Sequence, residues 1–156
     1  MTDAPLPPPR SDMTFADRDM FSELTEGAFY SPPGVSGMEI RDIGFGKRTG
    51  GRVGVQIFRA SGDVADPPLW HMHDLDIQIG YIISGWILYE FEGLGVVRVE
   101  AGTAIRHLPR NRLRVLDRSS DFEGIWVKSP AEDVVTLFPL DDTGGYGEVI
   151  YTHTES

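Results

Sequence analysis

The sequence predicts an all-β chain of about eight short strands closed into a sandwich or barrel. Short runs rich in Val, Ile, Tyr, Phe and Trp recur along it, with turn residues between them at regular intervals. The 156 residues include 18 glycines and 11 prolines, which supply the backbone angles of tight turns and disfavour long helices. At this length and 40% hydrophobic content, one domain with a real core is expected.

Residues 1–12 carry prolines at 5, 7, 8 and 9 and little to bury, so they read as a mobile N-terminal arm. Met13, Phe15, Ala16, Met20, Phe21 and Leu24 approximate helical spacing and predict a short helix over 13–24. Ser31-Pro32-Pro33-Gly34 then forces a turn, and from Met38 onward the period becomes two. Val53, Val55 and Ile57 alternate with Gly54, Gln56 and Phe58 as a strand buried on at least one side. Gly50-Gly51 precedes it, and turns run from Ser61-Gly62-Asp63 to Pro67-Pro68. Apolar runs follow over 77–83, 86–91 and 96–99, with Ser84-Gly85, Glu92-Gly93-Leu94-Gly95 and Ala101-Gly102 around them. Later strands fall over 112–116, 124–127 and 134–138, and Gly44-Phe45-Gly46-Lys47 sits among β signals. The expected organisation is one domain over 13–140 and an acidic C-terminal tail over 141–156, in which Val149-Ile150-Tyr151 is a candidate extra strand.

The formal charge is −10, from 14 basic and 24 acidic residues, so a polyanion is repelled and nucleic acid is not an expected partner. Arg106, Arg110, Arg112, Arg114 and Arg118 form a local basic run, read as a solvated strand or turn paired with carboxylates of a partner subunit. The absence of cysteine excludes disulfides, thiolate nucleophiles and Cys-based metal sites. The opening segment lacks the apolar region of a signal peptide. The most apolar stretch, 79–89, spans 11 residues and includes Ser84 and two glycines, where a membrane helix needs roughly 20. A soluble, cytoplasmic protein without membrane contact is expected. There is no phosphate-loop spacing and no G-x-S-x-G elbow. Asp74 and Asp76 read as a solvated bend.

Chemistry concentrates at His71-Met72-His73. On an extended strand, residues i and i+2 share a face, so the two imidazoles stand side by side as a metal's first two nitrogen ligands would. Four residues then lead to Gln78, and six more to Gly85. This pattern resembles the first motif of the cupin superfamily, in which the acceptor is normally glutamate. His73 and Gln78 are an odd number apart, so both face inward only if the chain bends at Asp74-Leu75-Asp76. Gly102-Thr103-Ala104-Ile105-Arg106 and Leu108-Pro109 resemble the start of the second motif. Arg110 stands where that motif commonly has glycine, and Leu113 stands where it has a third histidine. Ser119-Ser120-Asp121-Phe122-Glu123 and Val127-Lys128-Ser129-Pro130-Ala131 resemble the closing segment of single-domain cupins. The resemblance covers roughly 38–138 and implies a cupin-type jelly-roll β-barrel, with the short N-terminal helix or arm outside it.

The resemblance further implies Fe, Mn, Ni, Zn or Cu held by three histidines and a carboxylate. Here His71, His73 and Gln78 remain, two imidazoles and a neutral amide, with Leu113 donating nothing. They imply a weakly held divalent ion or none. His107 is a lesser candidate for the missing ligand, read first as a surface histidine beside the arginines, and His153 falls outside the site. Leu113, Trp126 and Tyr81 are candidate pocket residues, while Trp70 and Trp86 read as core or rim packing. The expected function is a small-molecule-binding cupin with a weak or incomplete metal site. The alternative is a metal-dependent cupin enzyme, a dioxygenase or isomerase, acting on a small polar or aromatic metabolite. A mainly partner-binding domain is a third reading. By fold analogy a homodimer is expected, paired through edge strands and N-terminal arms.

Overall fold

A computed structural model describes residues 28–32, 34–140, 145 and 147–153. The arm expected over 1–12 and the helix expected over 13–24 lie outside the described residues. Within them the chain forms β1 (Met38–Asp42), a single helical turn α1 (Phe45–Arg48), β2 (Gly54–Ala60), β3 (Trp70–His73), β4 (Ile77–Ser84) and β5 (Trp86–Phe91). It continues through β6 (Gly95–Glu100), β7 (Ala104–His107), β8 (Leu113–Arg118), β9 (Glu123–Ser129), β10 (Asp133–Phe138) and β11 (Val149–His153). Two antiparallel sheets result, in the orders β1-β2-β9-β4-β7 and β11-β10-β3-β8-β5-β6. The jelly roll expected from the sequence is the observed architecture.

Side-chain alternation on each strand fills the space between the sheets. On β4, Gln78, Gly80 and Ile82 are buried while Ile77, Ile79, Tyr81 and Ile83 are exposed. On β9, Gly124, Trp126 and Lys128 are buried. The register sets Gly80 beside Trp126 and Gly124 beside Phe58. A Cβ at Gly80 would overlap three carbons of the Trp126 ring, and one at Gly124 would overlap the Phe58 ring. Glycine is required at both places by close approach. The aromatic rings therefore lie flat across the sheet, with Phe58 stacked on Trp126 at 4.9 Å and tilted against Phe122 at 5.3 Å. Ile82, Ile87, Tyr89 and Val115 belong to the same core.

The bend expected at Asp74-Leu75-Asp76 is present. Leu75 is buried between two exposed aspartates, and their amides bond to the Val134 and Ser129 carbonyls. Because β3 and β4 belong to opposite sheets, His73 and Gln78 both face inward despite their odd separation.

Two local features differ from the sequence reading, and a third bears out one of its candidates. Residues 45–48 form α1 rather than extended chain, because Gly44 adopts a left-handed φ of 82° and the Thr49 hydroxyl donates to the Phe45 carbonyl at 2.8 Å. The candidate strand at Val149-Ile150-Tyr151 is present, as β11, which pairs with β10 along its length and adds an edge strand from within the expected tail. Three of the five arginines, Arg110, Arg112 and Arg114, find carboxylates within their own chain. Antiparallel pairing of β5 with β8 sets Arg114 beside Glu90 at 2.6 Å, and the turns bring Arg110 to Asp74 at 2.9 Å and Arg112 to Glu92 at 3.6 Å. The Arg118 guanidinium donates to the Gly37 and Gly62 carbonyls. Among the described residues, no helix is long and apolar enough to cross a membrane.

Candidate functional site

Between the two sheets lies a cavity of about 330 Å³. Its polar wall holds His71 and His73 from β3, Gln78 from β4, His107 from β7, Asp133 from β10 and Gln56 from β2. Its apolar wall includes Trp126, Tyr89, Leu113, Val115 and Met38.

The His71 and His73 rings stand edge to face, 5.2 Å between centroids. His73 Nδ1 lies 2.8 Å from a carboxylate oxygen of Asp133, which is itself buried. A carboxylate on Nδ1 fixes the ring's orientation and leaves Nε2 for whatever occupies the cavity. Asp133 reaches His73 diagonally, because β10 pairs with β3 so that Val135, two residues further on, sits directly opposite His73.

His107 lies directly opposite Gln78 in the β4–β7 pairing. Its ring packs 4.5 Å from Trp126, 5.5 Å from Tyr89 and 5.7 Å from Phe91. Among the described residues, both His107 ring nitrogens are buried without a hydrogen-bond partner, and no bond of good geometry reaches His71 Nδ1. Burial, then the neighbouring imidazoles His73 and His71, push the His107 pKa down to about 3. Burial and then His73 push His71 down to about 3 as well, against smaller upward pulls from the Leu69 backbone and Asp133. Burial pushes the Tyr89 hydroxyl up. Near neutral pH these two imidazoles are uncharged and offer lone pairs and N–H groups to a guest.

No protein-family model matches this sequence, and no curated protein matches it. The similarity lies in structure. KdgF from a Halomonas species superposes with a TM-score of 0.54 at 20% identity, over 70% of this chain and 94% of that one. Pac13 from Streptomyces, a nucleoside dehydratase solved with uridine, superposes with a TM-score of 0.54 at 12% identity, over 86% of this chain and 92% of its own. The chain has the cupin fold. A looser superposition, with a TM-score of 0.49 at 14% identity, relates it to a cupin-superfamily sugar phosphate isomerase from Silicibacter pomeroyi, over 78% of this chain and 84% of that one. At such identities the likeness is one of fold, and function has to be argued from the site.

Within the cupin barrel, His71, His73, Gln78, Leu113 and Trp126 all border the cavity, with Leu113 directly opposite His71. Two expectations are corrected. His107 is a buried wall residue, not a surface histidine, because Ile105 and His107 occupy the inward positions of β7 while Ala104 and Arg106 point out. Tyr81 lies on the outer face of the barrel, 46% exposed, because it shares the outward parity of Ile77, Ile79 and Ile83. The His153 side chain lies outside the described residues. Arg110 keeps the backbone that the resembled motif gives to glycine, a left-handed φ of 55°. Its amide donates to the His73 carbonyl at 3.1 Å, which ties the turn to the histidine strand.

Sequence reasoning missed Asp133 and Gln56. Asp133 was legible by parity, since it shares the inward face of β10 with Val135 and Leu137. The Gln56 amide donates to Asp42 at 2.7 Å and to the Tyr30 hydroxyl at 3.2 Å, a partnership across three segments that no local pattern reveals.

The donor set fits a resident metal ion poorly. Among the described residues, no group of three or more His, Asp or Glu side chains is arranged to hold one. The carboxylate nearest the imidazoles, Asp133, is turned to His73 Nδ1, and Leu113 occupies the place of a ligand. What remains is a mostly apolar chamber with imidazole and amide groups on one side.

Proposed function

We propose that this barrel binds a small molecule in the cavity and holds a divalent metal ion only weakly. The observation that carries this reading is His107: an imidazole in the cavity wall whose two nitrogens have no hydrogen-bond partner among the described residues. Buried polar atoms are normally bonded, so a wall that leaves two unpaired is built for a guest that pairs them. Aromatic faces beside those nitrogens suit a ring-bearing polar compound of the size of a nucleoside, such as the uridine seen in Pac13. Titration calorimetry against nucleosides, sugars and small aromatic acids and amides tests this. A ligand whose affinity falls at least tenfold in His107→Leu and in Trp126→Ala supports the reading. Ligands that bind both variants as tightly as the parent protein contradict it.

A second reading, a metal-dependent enzyme of the dioxygenase or isomerase class, draws on the His73–Asp133 contact. An oriented imidazole with Nε2 toward a cavity is also how metal-ligating histidines are held. Calorimetry with Zn, Mn, Fe(II), Ni and Cu separates the two. A sub-micromolar dissociation constant that His71→Ala abolishes favours the enzyme over the weak site.

We also infer a homodimer. Ile77, Ile79, Tyr81, Ile83 and Val127 form an exposed apolar stripe on an outer sheet face that a soluble barrel normally makes polar. Sedimentation of Tyr81→Asp is expected to shift toward monomer; a parent protein that is already monomeric overturns the inference.

A further inference from the structure

Lys128 is 1% exposed, and its ammonium nitrogen has no hydrogen-bond partner among the described residues. It faces inward on β9, beside Gly54 of β2 on one side and Gln78 of β4 on the other. The same row continues across β7 to His107. Lys128, Gln78 and His107 thus stand abreast on one inward row, and two of the three carry buried nitrogens that nothing among the described residues satisfies. Lys128 is set one residue back from the cavity. Its inward neighbours Gln78 and Trp126 both line it, and cross-strand neighbours are about 5 Å apart, within the sweep of a four-carbon side chain. Gly54 has no side chain to block that sweep.

A buried ammonium is tolerated when it is paired and costly when it is not. The acidic group on the cavity wall, Asp133, is engaged with His73. Among the described residues no hydrogen bond joins a carboxylate to Lys128, which leaves the place of its counter-charge to a ligand. We infer that the cavity takes an anionic ligand, whose carboxylate or phosphate oxygens are received by Lys128 with Gln78 and His107. This rests on the proposal that the cavity binds a small molecule and adds the charge class of that molecule. The chain carries −10 overall, so the preference for an anion is local, set by the row and not by the protein's field.

The test uses matched probes with one ring: benzamide, benzoate and phenyl phosphate, titrated calorimetrically into the full chain. Either anion is expected to bind at least tenfold more tightly than benzamide, and comparing the two tells a carboxylate site from a phosphate site. Lys128→Met, which keeps the volume and removes the charge, is expected to erase the anion's advantage while retaining benzamide. If Lys128→Met does not fold, Lys128→Gln carries the same expectation. Equal affinity for all three probes, or an advantage that survives in the variant, overturns the anion inference and leaves the cavity reading standing. Failure of all three probes to bind counts against both. A second readout is thermal: inorganic phosphate is expected to raise the melting temperature of the parent protein but not of Lys128→Met, and an equal rise in both overturns the inference.

Discussion

Lowering the pH from 7 to 5 places a proton on His71 or His107 far more readily once the barrel has opened. Both have folded pKa values near 3 against 6.5 for the free side chain. The groups facing them are His73 and Asp133 around His71, and Tyr89 and Trp126 around His107, with His71 and His73 close enough to repel its charged form. Because the folded pKa lies below the unfolded one, the unfolded chain takes up protons first as pH falls. Stability is then lost progressively below about 6.5, and the loss is complete only near 3. Between pH 7 and 5 each imidazole contributes a loss of about 2 kcal/mol, or roughly 4 kcal/mol for the pair. That is a large part of the 5–15 kcal/mol typical of a domain, and with ordinary urea slopes it moves the unfolding midpoint by roughly 2 M. Urea unfolding of the parent protein and of His107→Leu at the two pH values measures it. The variant is expected to lose about half as much as the parent. A parent midpoint unchanged between pH 7 and 5, or the same drop in both proteins, refutes the claim that buried neutral imidazoles set the acid limit.

Other expectations follow from contacts in the same wall. Gly80→Ala drives a methyl into the Trp126 ring and is expected to cost about 1–3 kcal/mol, with a shift in tryptophan emission; unchanged emission and melting temperature would show that the ring does not lie across the strand. Asp133→Asn replaces the charged partner of His73 Nδ1 and is expected to cost about 1–3 kcal/mol. Nitrogen-15 NMR should show a changed tautomer balance at His73, and an unaltered spectrum would mean that Asp133 does not orient the ring. Gln78→Glu restores a carboxylate beside the histidines and is expected to raise divalent-metal affinity at least tenfold by calorimetry. If affinity stays weak, the missing carboxylate is not what keeps a metal out.

The fold was legible because its strongest signals are local. Glycine pairs at the turns and period-two runs locate β2, β4, β5, β6 and β10 to within a residue or two. The helical turn at 45–48 was not legible, since it depends on the Thr49 hydroxyl folding back on Phe45, a bond that composition does not announce. In the site, the H-x-H spacing put His71 and His73 on one face, and the resemblance to the cupin motif, with the bend it implies, added Gln78 to the same cavity.

Tyr81 and His107 were misplaced for a more instructive reason, because the information needed to place both was present. Gln78 and Tyr81 are three apart on one strand, so an inward Gln78 requires an outward Tyr81. That conclusion was masked by β4 being apolar on both faces, Ile77, Ile79 and Ile83 outside and Ile82 inside, which removes the contrast that normally reveals the buried side. His107 was masked by the opposite circumstance. Its four-residue strand is too short for alternation to stand out, and the arginines around it suggest a surface. Yet Ile105 is the one large apolar residue between the exposed Ala104 and Arg106, and parity with Ile105 carries His107 inward, opposite Gln78. The third imidazole of the cavity therefore does not stand in the Leu113 position from which the resembled motif supplies one. It arrives from the neighbouring strand of the other sheet, where it meets Trp126 and Tyr89 with both nitrogens still free to bond.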